Sequence, residues 1–312
     1  MLNTILHHTS LSFSLFLLVL LGYLLMRLGK WPKEVAGALS KFVFNVAFPA
    51  LLFNTMSQFS SLPPVDVRLL FAFFGSCIIV FIVGRLIAKN LFKLDGVAQS
   101  VFALGGIYSN NVFLGIPLAK MTLGEEALPA VALVVAFNAL LLWVLVTIST
   151  EWALHGSLSL RGITKTARNV LTNPIVASIL LGLLYDASGL PLPSLLKAPL
   201  QMTAQAASPM ALIALGMGLA EYGIREEWRQ SVAITGLKLI LQPLTVWILA
   251  RAIGLPKLET QAIVLLASIS VAVNVYLMAD QFKTMKSAVA SSMVLSLLLA
   301  IFTAPIAIAL IA

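Results

Sequence analysis

The stretch Gly105-Gly106-Ile107-Tyr108-Ser109-Asn110-Asn111-Val112-Phe113-Leu114-Gly115-Ile116-Pro117 gathers hydroxyls, amides, glycines and a proline inside an otherwise apolar run. Pro117 removes a backbone donor and, with Gly115, is expected to open a helix locally. Ser109, Asn110 and Asn111 would then stand beside freed backbone groups. The N-terminal end of a half-helix carries partial positive charge, so such a break suits an anion such as a carboxylate. A packed Gly/Ser/Asn interface with a proline kink and no ligand is the alternative.

A second polar group, Ser268, Ser270, Asn274 and Tyr276, ends at Asp280 and Gln281. It has no proline or glycine to force a break, and Ser and Asn also serve as interhelical hydrogen bonds. Asn45 with Pro49, and Gln205 with Ser208 and Pro209, either line a pathway or sit on kinked, packed helices. Lys238 lies inside an apolar run, as a counter-charge for a carboxylate or snorkelling to the interface. Asn138 and Gln242 read as interhelical hydrogen bonds.

What is missing narrows the chemistry further. No acidic residue stands near the centre of an apolar run, and His7, His8 and His155 lie in a terminus and a connection. Buried carboxylates or histidines are the usual proton carriers of coupled pumps. There is no Walker motif, HExxH, aspartate-rich metal motif, or serine elbow with a histidine to match. An enzyme, a cofactor, a bound metal and direct use of ATP are therefore not expected.

The elements that must position these groups are membrane spans. Sixty per cent of the 312 residues are hydrophobic, 10% are charged, and mean hydropathy is +1.01. A soluble surface needs nearer a quarter charged. The net charge of +8 comes from basic residues spread between apolar runs, with no aromatic-studded basic patch, so nucleic acid is not a partner. Cys77 is the single cysteine, which excludes a disulfide framework. The first apolar run lacks a basic leader and ends Met26-Arg27-Leu28-Gly29-Lys30, and reads as a retained helix.

A span needs about 20 apolar residues. Candidates fall near 9–28, 36–57, 67–88, 97–119, 127–150, 173–189, 196–220, 229–252, 259–281 and 286–311, an all-α chain of ten spans. Residues 1–150 form one half, 151–172 a connector and 173–312 the other half. Of the 20 basic residues, 14 fall in odd-numbered connections and five in even ones, with Lys238 inside the eighth span. The bias makes the odd connections cytoplasmic and places both termini outside. Five spans per half implies an inverted repeat. Asn111-Val112-Phe113-Leu114 returns 163 positions later as Asn274-Val275-Tyr276-Leu277. Phe48-Pro49-Ala50-Leu51-Leu52 is echoed 160 later by Ser208-Pro209-Met210-Ala211-Leu212.

At these residues the chain resembles the auxin efflux carrier family, the bacterial relatives of the plant PIN-FORMED proteins. The resemblance runs over essentially the whole chain. It is carried by Lys41 to Phe53, by Ser109 to Ala119, by Thr172-Asn173-Pro174, by Ser208-Pro209-Met210 with Gly216-Met217, and by Ala272 to Tyr276. It implies ten helices in two inverted five-helix repeats, the fourth and ninth broken and crossing beside a substrate pocket. Helices 1, 2, 6 and 7 would form a scaffold and the rest a moving domain with elevator-like alternating access. Homodimers, a bacterial inner-membrane location and organic-anion substrates are implied too: indole-acetate in plants, malonate or malate in bacteria. The family often has a proline shortly before the ninth-span Asn, where this chain has Ser270-Val271.

Together these readings describe a secondary carrier of small carboxylates. The expected substrate-binding set is Ser109, Asn110, Asn111, Gly115, Pro117, Ser270, Asn274 and Tyr276, with Asn45, Gln205 and Lys238 as pathway or counter-charge. The coupling ion, sodium or a proton, is left open. A sodium-coupled symporter of the bile-acid carrier type and a non-transporting sensor are the rivals.

Overall fold

The computed structural model describes residues 2–29, 31–61, 65–155, 174–220 and 227–311, and over these the chain is all-α. In chain order the helices are α1 (Leu2–Arg27), α2 (Lys33–Phe42), α3 (Phe48–Met56), α4 (Leu69–Asn90), α5 (Gly96–Gly105), α6 (Ile116–Leu123) and α7 (Leu128–His155). There follow α8 (Pro174–Ala187), α9 (Ser194–Leu219), α10 (Trp228–Gly236), α11 (Gln242–Ala252), α12 (Lys257–Ala267), α13 (Val273–Gln281) and α14 (Lys286–Ile311). Most of the expected connector, 151–172, lies outside the described residues.

Three junctions are single π-helical turns: Val43–Ala47 between α2 and α3, Asn111–Gly115 before α6, and Leu237–Leu241 between α10 and α11. Each leads into a helix whose second residue is proline: Pro49, Pro117 or Pro243. The cause is local. Proline offers no N–H and its ring crowds the carbonyl four residues back. In each case the N–H just before the proline reaches back five residues: Phe48 to Val43, Ile116 to Asn111, Gln242 to Leu237. The helix continues, widened by one residue.

The expectation of ten spans in two inverted five-helix repeats is overturned. Among the described residues five helical stretches are long and apolar enough to cross a membrane: Glu34–Met56, Leu69–Asn90, Ser194–Leu219, Trp228–Ala252 and Lys286–Ile311. These are the expected second, third, seventh, eighth and tenth. The expected fourth and ninth are not single helices. The fourth divides into α5 and a stretch Asn111–Leu123, the ninth into α12 and α13, with non-helical backbone between. The sixth is only Pro174–Ala187, and the apolar part of α1 described with its side chains is Leu15–Arg27. Several side chains of α7 fall outside the described set. Hydropathy averaged along the chain is blind to a break that keeps its neighbours apolar. The protein is a polytopic membrane protein all the same.

Packing brings the pieces together. α1 lies along α9, α3 along α8, and α4 against both α5 and α11. The α1–α9 contact is backbone on backbone: a Cβ on Gly22 would fall 2.1 Å from the Ile213 carbonyl oxygen, and one on Gly216 would fall 1.9 Å from that of Val19. Small residues allow such close approach where lipid offers no hydrophobic drive to pack helices.

The two breaks meet. Ser109 and Val271 form an antiparallel bridge. The Asn110 N–H donates to the Ser270 carbonyl at 3.0 Å, and the Ala272 N–H donates to the Tyr108 carbonyl at 2.9 Å. Backbone freed in each break is thus satisfied by the other, as burial away from water demands.

Candidate functional site

The remaining backbone of the breaks is held by side chains. Gln242 Nε2 donates to the Ile107 carbonyl at 2.9 Å, and Lys238 Nζ donates to the Ala267 carbonyl and to Gln242 Oε1 at 2.7 Å. One Lys–Gln pair on the α10–α11 helix therefore caps both broken helices at once, α5 just beyond its end and α12 at its last residue. The Val271 N–H donates to Ser296 Oγ at 3.0 Å and Thr303 Oγ1 donates to the Ser268 carbonyl at 3.2 Å, both from α14.

Beside the paired breaks is a cavity of about 80 Å³ lined by Tyr108, Ser109, Asn110, Asn111, Asn138, Asn274 and apolar neighbours. Its polar groups are unusual for buried ones. Ser109 (1% exposed), Asn110 (5%), Asn111 (2%) and Asn138 (5%) are shut from solvent. Yet Ser109 Oγ, Asn110 Nδ2, both ends of the Asn111 amide and Asn138 Oδ1 have no hydrogen-bond partner. Leaving such groups unpaired costs about 1–3 kcal/mol each. Asn274 Nδ2 donates to Tyr108 Oη at 2.9 Å.

Two helices also begin here. Asn111, Val112 and Phe113 open the stretch that runs into α6, and Val273 and Asn274 open α13; all five line the cavity. The first N–H groups of a helix lack intrahelical acceptors and carry the positive end of its dipole. Phe44, Phe113, Val273 and Asn274 line both this cavity and a larger cleft of about 630 Å³. Phe113 meets Phe48 edge-on at 6.0 Å. The cleft also holds Asn45 and Lys41, with no acidic residue among the described residues of its lining.

Four of the residues expected from sequence come together: Ser109, Asn110, Asn111 and Asn274. Ser270 is buried in the second break and contributes its carbonyl to Asn110. Gly115 packs against α12, where a Cβ would fall 2.7 Å from Leu266 Cδ2, and Pro117 is buried within α6. Neither lines the cavity, and the break lies at 106–110, ahead of both. Tyr276 is half-buried on α13 and outside the lining; Gln205 is exposed on α9. Asn45 lines the cleft, its Nδ2 on the Lys41 carbonyl at 2.8 Å. Lys238 is fully buried and holds the breaks without lining the cavity. Tyr108, Phe44 and Phe113 stood outside the expected binding set, and Asn138 was read as an interhelical hydrogen bond. As a lone amide in the apolar run 128–150, Asn138 carried a signal. Among the described residues no three His, Cys, Asp or Glu side chains gather as a metal would require.

Known proteins of similar length resemble the chain over nearly all of it. A family model described as a membrane transport protein matches residues 9–308. The "Putative malonate transporter" of Rhizobium meliloti (strain 1021) is 29% identical over 302 residues, 95% of this chain and 93% of that protein. An "Uncharacterized transporter" of Methanothermobacter thermautotrophicus is 26% identical over 303 residues, 96% of each chain. The "Uncharacterized transporter YfdV" of Escherichia coli (strain K12) is 25% identical over 298 residues, 94% of each.

Proposed function

The chain belongs to the membrane transport protein family, as a transporter of the auxin efflux carrier type, and on that footing we propose that it carries a small organic carboxylate through the cavity beside the paired breaks. One observation carries the reading: two helix starts and four buried side chains with unpartnered polar atoms converge on a single small cavity. Donors held in place before the ligand arrives bind an anion without reorganisation, and the dipole ends add to them. The cleft outside, with Lys41 and no acid among the described residues of its lining, draws negative solutes toward the cavity. That a relative carries malonate in its name fits a small acid.

Transport follows by alternating access of an elevator-like kind. The breaks are stapled to one another and to α11, while Phe44, Ile175 and Val176 line the cavity from the other side. Sliding of the stapled unit past α2–α3 and α8 would carry the bound acid with it. The cleft is lined by α2 and by the last turns of α9. Export of an anion from a cell negative inside is driven by about 2.3 kcal/mol per charge per 100 mV.

Tracer flux into proteoliposomes tests this, with malonate, malate, succinate and indole-acetate offered with and without sodium. Saturable flux of at least one acid, lost in Asn111→Ala and Asn274→Ala, is expected. If folded protein moves none of them, the carboxylate reading falls. If both variants match the parent, the cavity is not the route.

A further inference from the structure

The unpartnered atoms in the cavity are a mixed set, and the mixture specifies a charge. Asn110 Nδ2, Asn111 Nδ2 and Ser109 Oγ can donate; Asn111 Oδ1 and Asn138 Oδ1 can only accept. Both ends of the Asn111 amide are free, so an acceptor remains whichever way that amide is turned. An ionised carboxylate is acceptor-only. It satisfies the donors and leaves the two carbonyl oxygens facing negative charge. A protonated carboxyl has an O–H to give them.

No charged residue lines the cavity among the described residues. Several charged groups on the elements around it are engaged elsewhere. From the α10–α11 helix, Lys238 reaches the Ala267 carbonyl and Gln242. On α4, Arg85 ends on Ser100, Ser149 and Gln99. On α6, Lys120 pairs with Glu125. On α8, Asp186 takes the N–H and hydroxyl of Ser60. On α12, Glu259 takes the Asp66 N–H. On α13, Asp280 pairs with Lys286 of α14. On α2, Lys41 lines the cleft. Tyr108, in the lining itself, accepts from Asn274. A second negative charge in so small a space would therefore be buried uncompensated, and two carboxylates sharing a site hold one proton between them.

Resting on the carboxylate reading above, we infer that the cavity admits one negative charge at a time, so that a dicarboxylate is bound and carried as its singly protonated monoanion. The proton travels on the substrate, its O–H given to Asn111 Oδ1 or Asn138 Oδ1, while the ionised end meets the amide N–H groups and helix starts.

The test is initial flux in proteoliposomes at fixed total acid from about pH 5.5 to about pH 8. Malonate is compared with pyruvate, which stays ionised throughout, and net charge moved is measured alongside tracer. Malonate flux should fall by about tenfold for each pH unit above its second ionisation. Pyruvate should change little, and one charge should move per malonate. Malonate flux that is level or rising with pH, with two charges per molecule, would overturn the inference and leave the carboxylate reading intact. If neither acid moves at any pH, both fall together.

Discussion

Tyr108 and Asn274, 166 positions apart, are joined by a 2.9 Å hydrogen bond from the Asn274 amide to the phenolic oxygen. Tyr108 lies in the first break and Asn274 at the start of the helix that follows the second, so the bond ties the two together at the edge of the cavity. Tyr108→Phe keeps the ring and removes the acceptor, leaving the Asn274 donor short of a partner. We expect flux to fall several-fold, with a loss of about 1–3 kcal/mol in stability. Flux assays and thermal unfolding in detergent read the two effects separately.

Gln242 offers a sharper test of how the breaks are kept. Its amide joins the Ile107 carbonyl to Lys238, which in turn holds the Ala267 carbonyl. Gln242→Leu, close in size, strands the Ile107 carbonyl and takes one partner from Lys238. A destabilisation of about 1–3 kcal/mol is expected from the stranded group. The melting temperature in detergent should drop accordingly, and restoring apolar volume should not rescue it.

Phe113 lines both the small cavity and the cleft and leans edge-on against Phe48. Phe113→Ala should merge the two spaces. The KM for malonate is expected to rise, and competition by bulky acids such as indole-acetate to strengthen. Competition curves against malonate flux, parent and variant side by side, decide it; unchanged selectivity would remove Phe113 from the boundary.

Ala272 allows one backbone hydrogen bond to be deleted with little else changed. Its φ of −76° already suits proline, and Val271 before it is in the extended bridge that a following proline requires. Ala272→Pro loses the N–H that donates to the Tyr108 carbonyl. Stability should fall by about 1–3 kcal/mol, offset in part by the stiffer unfolded chain. Thermal unfolding in detergent checks the sign.

Ser109, Asn110 and Asn111 were legible because hydroxyls and amides in an apolar run need a reason to be there. Their mechanical cause was misread. Pro117 looked like the breaker, but its missing N–H is absorbed by the π-helical turn Asn111–Gly115. The break lies earlier, where α5 ends at Gly105, and it persists because Ser270 and Ala272 satisfy it from far along the chain. The second break has no proline at all; Ser296 and Thr303 of α14 hold it open. Neither partner is a neighbour in sequence, so local pattern does not reveal them. The same blindness made ten continuous spans out of fewer. Asn138 stood outside the expected set for a different reason: a lone amide in an apolar run reads as an interhelical bond, and only the structure shows its Oδ1 without a partner beside the cavity.

The pairing of the two breaks also sets a timetable for making the protein. Asn110 leaves the ribosome 160 residues ahead of Ser270, a gap of roughly 8 to 32 seconds at ordinary rates of synthesis. Through that interval the Asn110 N–H and the Tyr108 carbonyl lack the acceptor and donor that hold them in the finished molecule. Lipid cannot supply substitutes, at a cost of several kcal/mol for each bare group. Until the second segment arrives these groups need another partner, which a continuous helix through 106–110 or water in the insertion channel would supply.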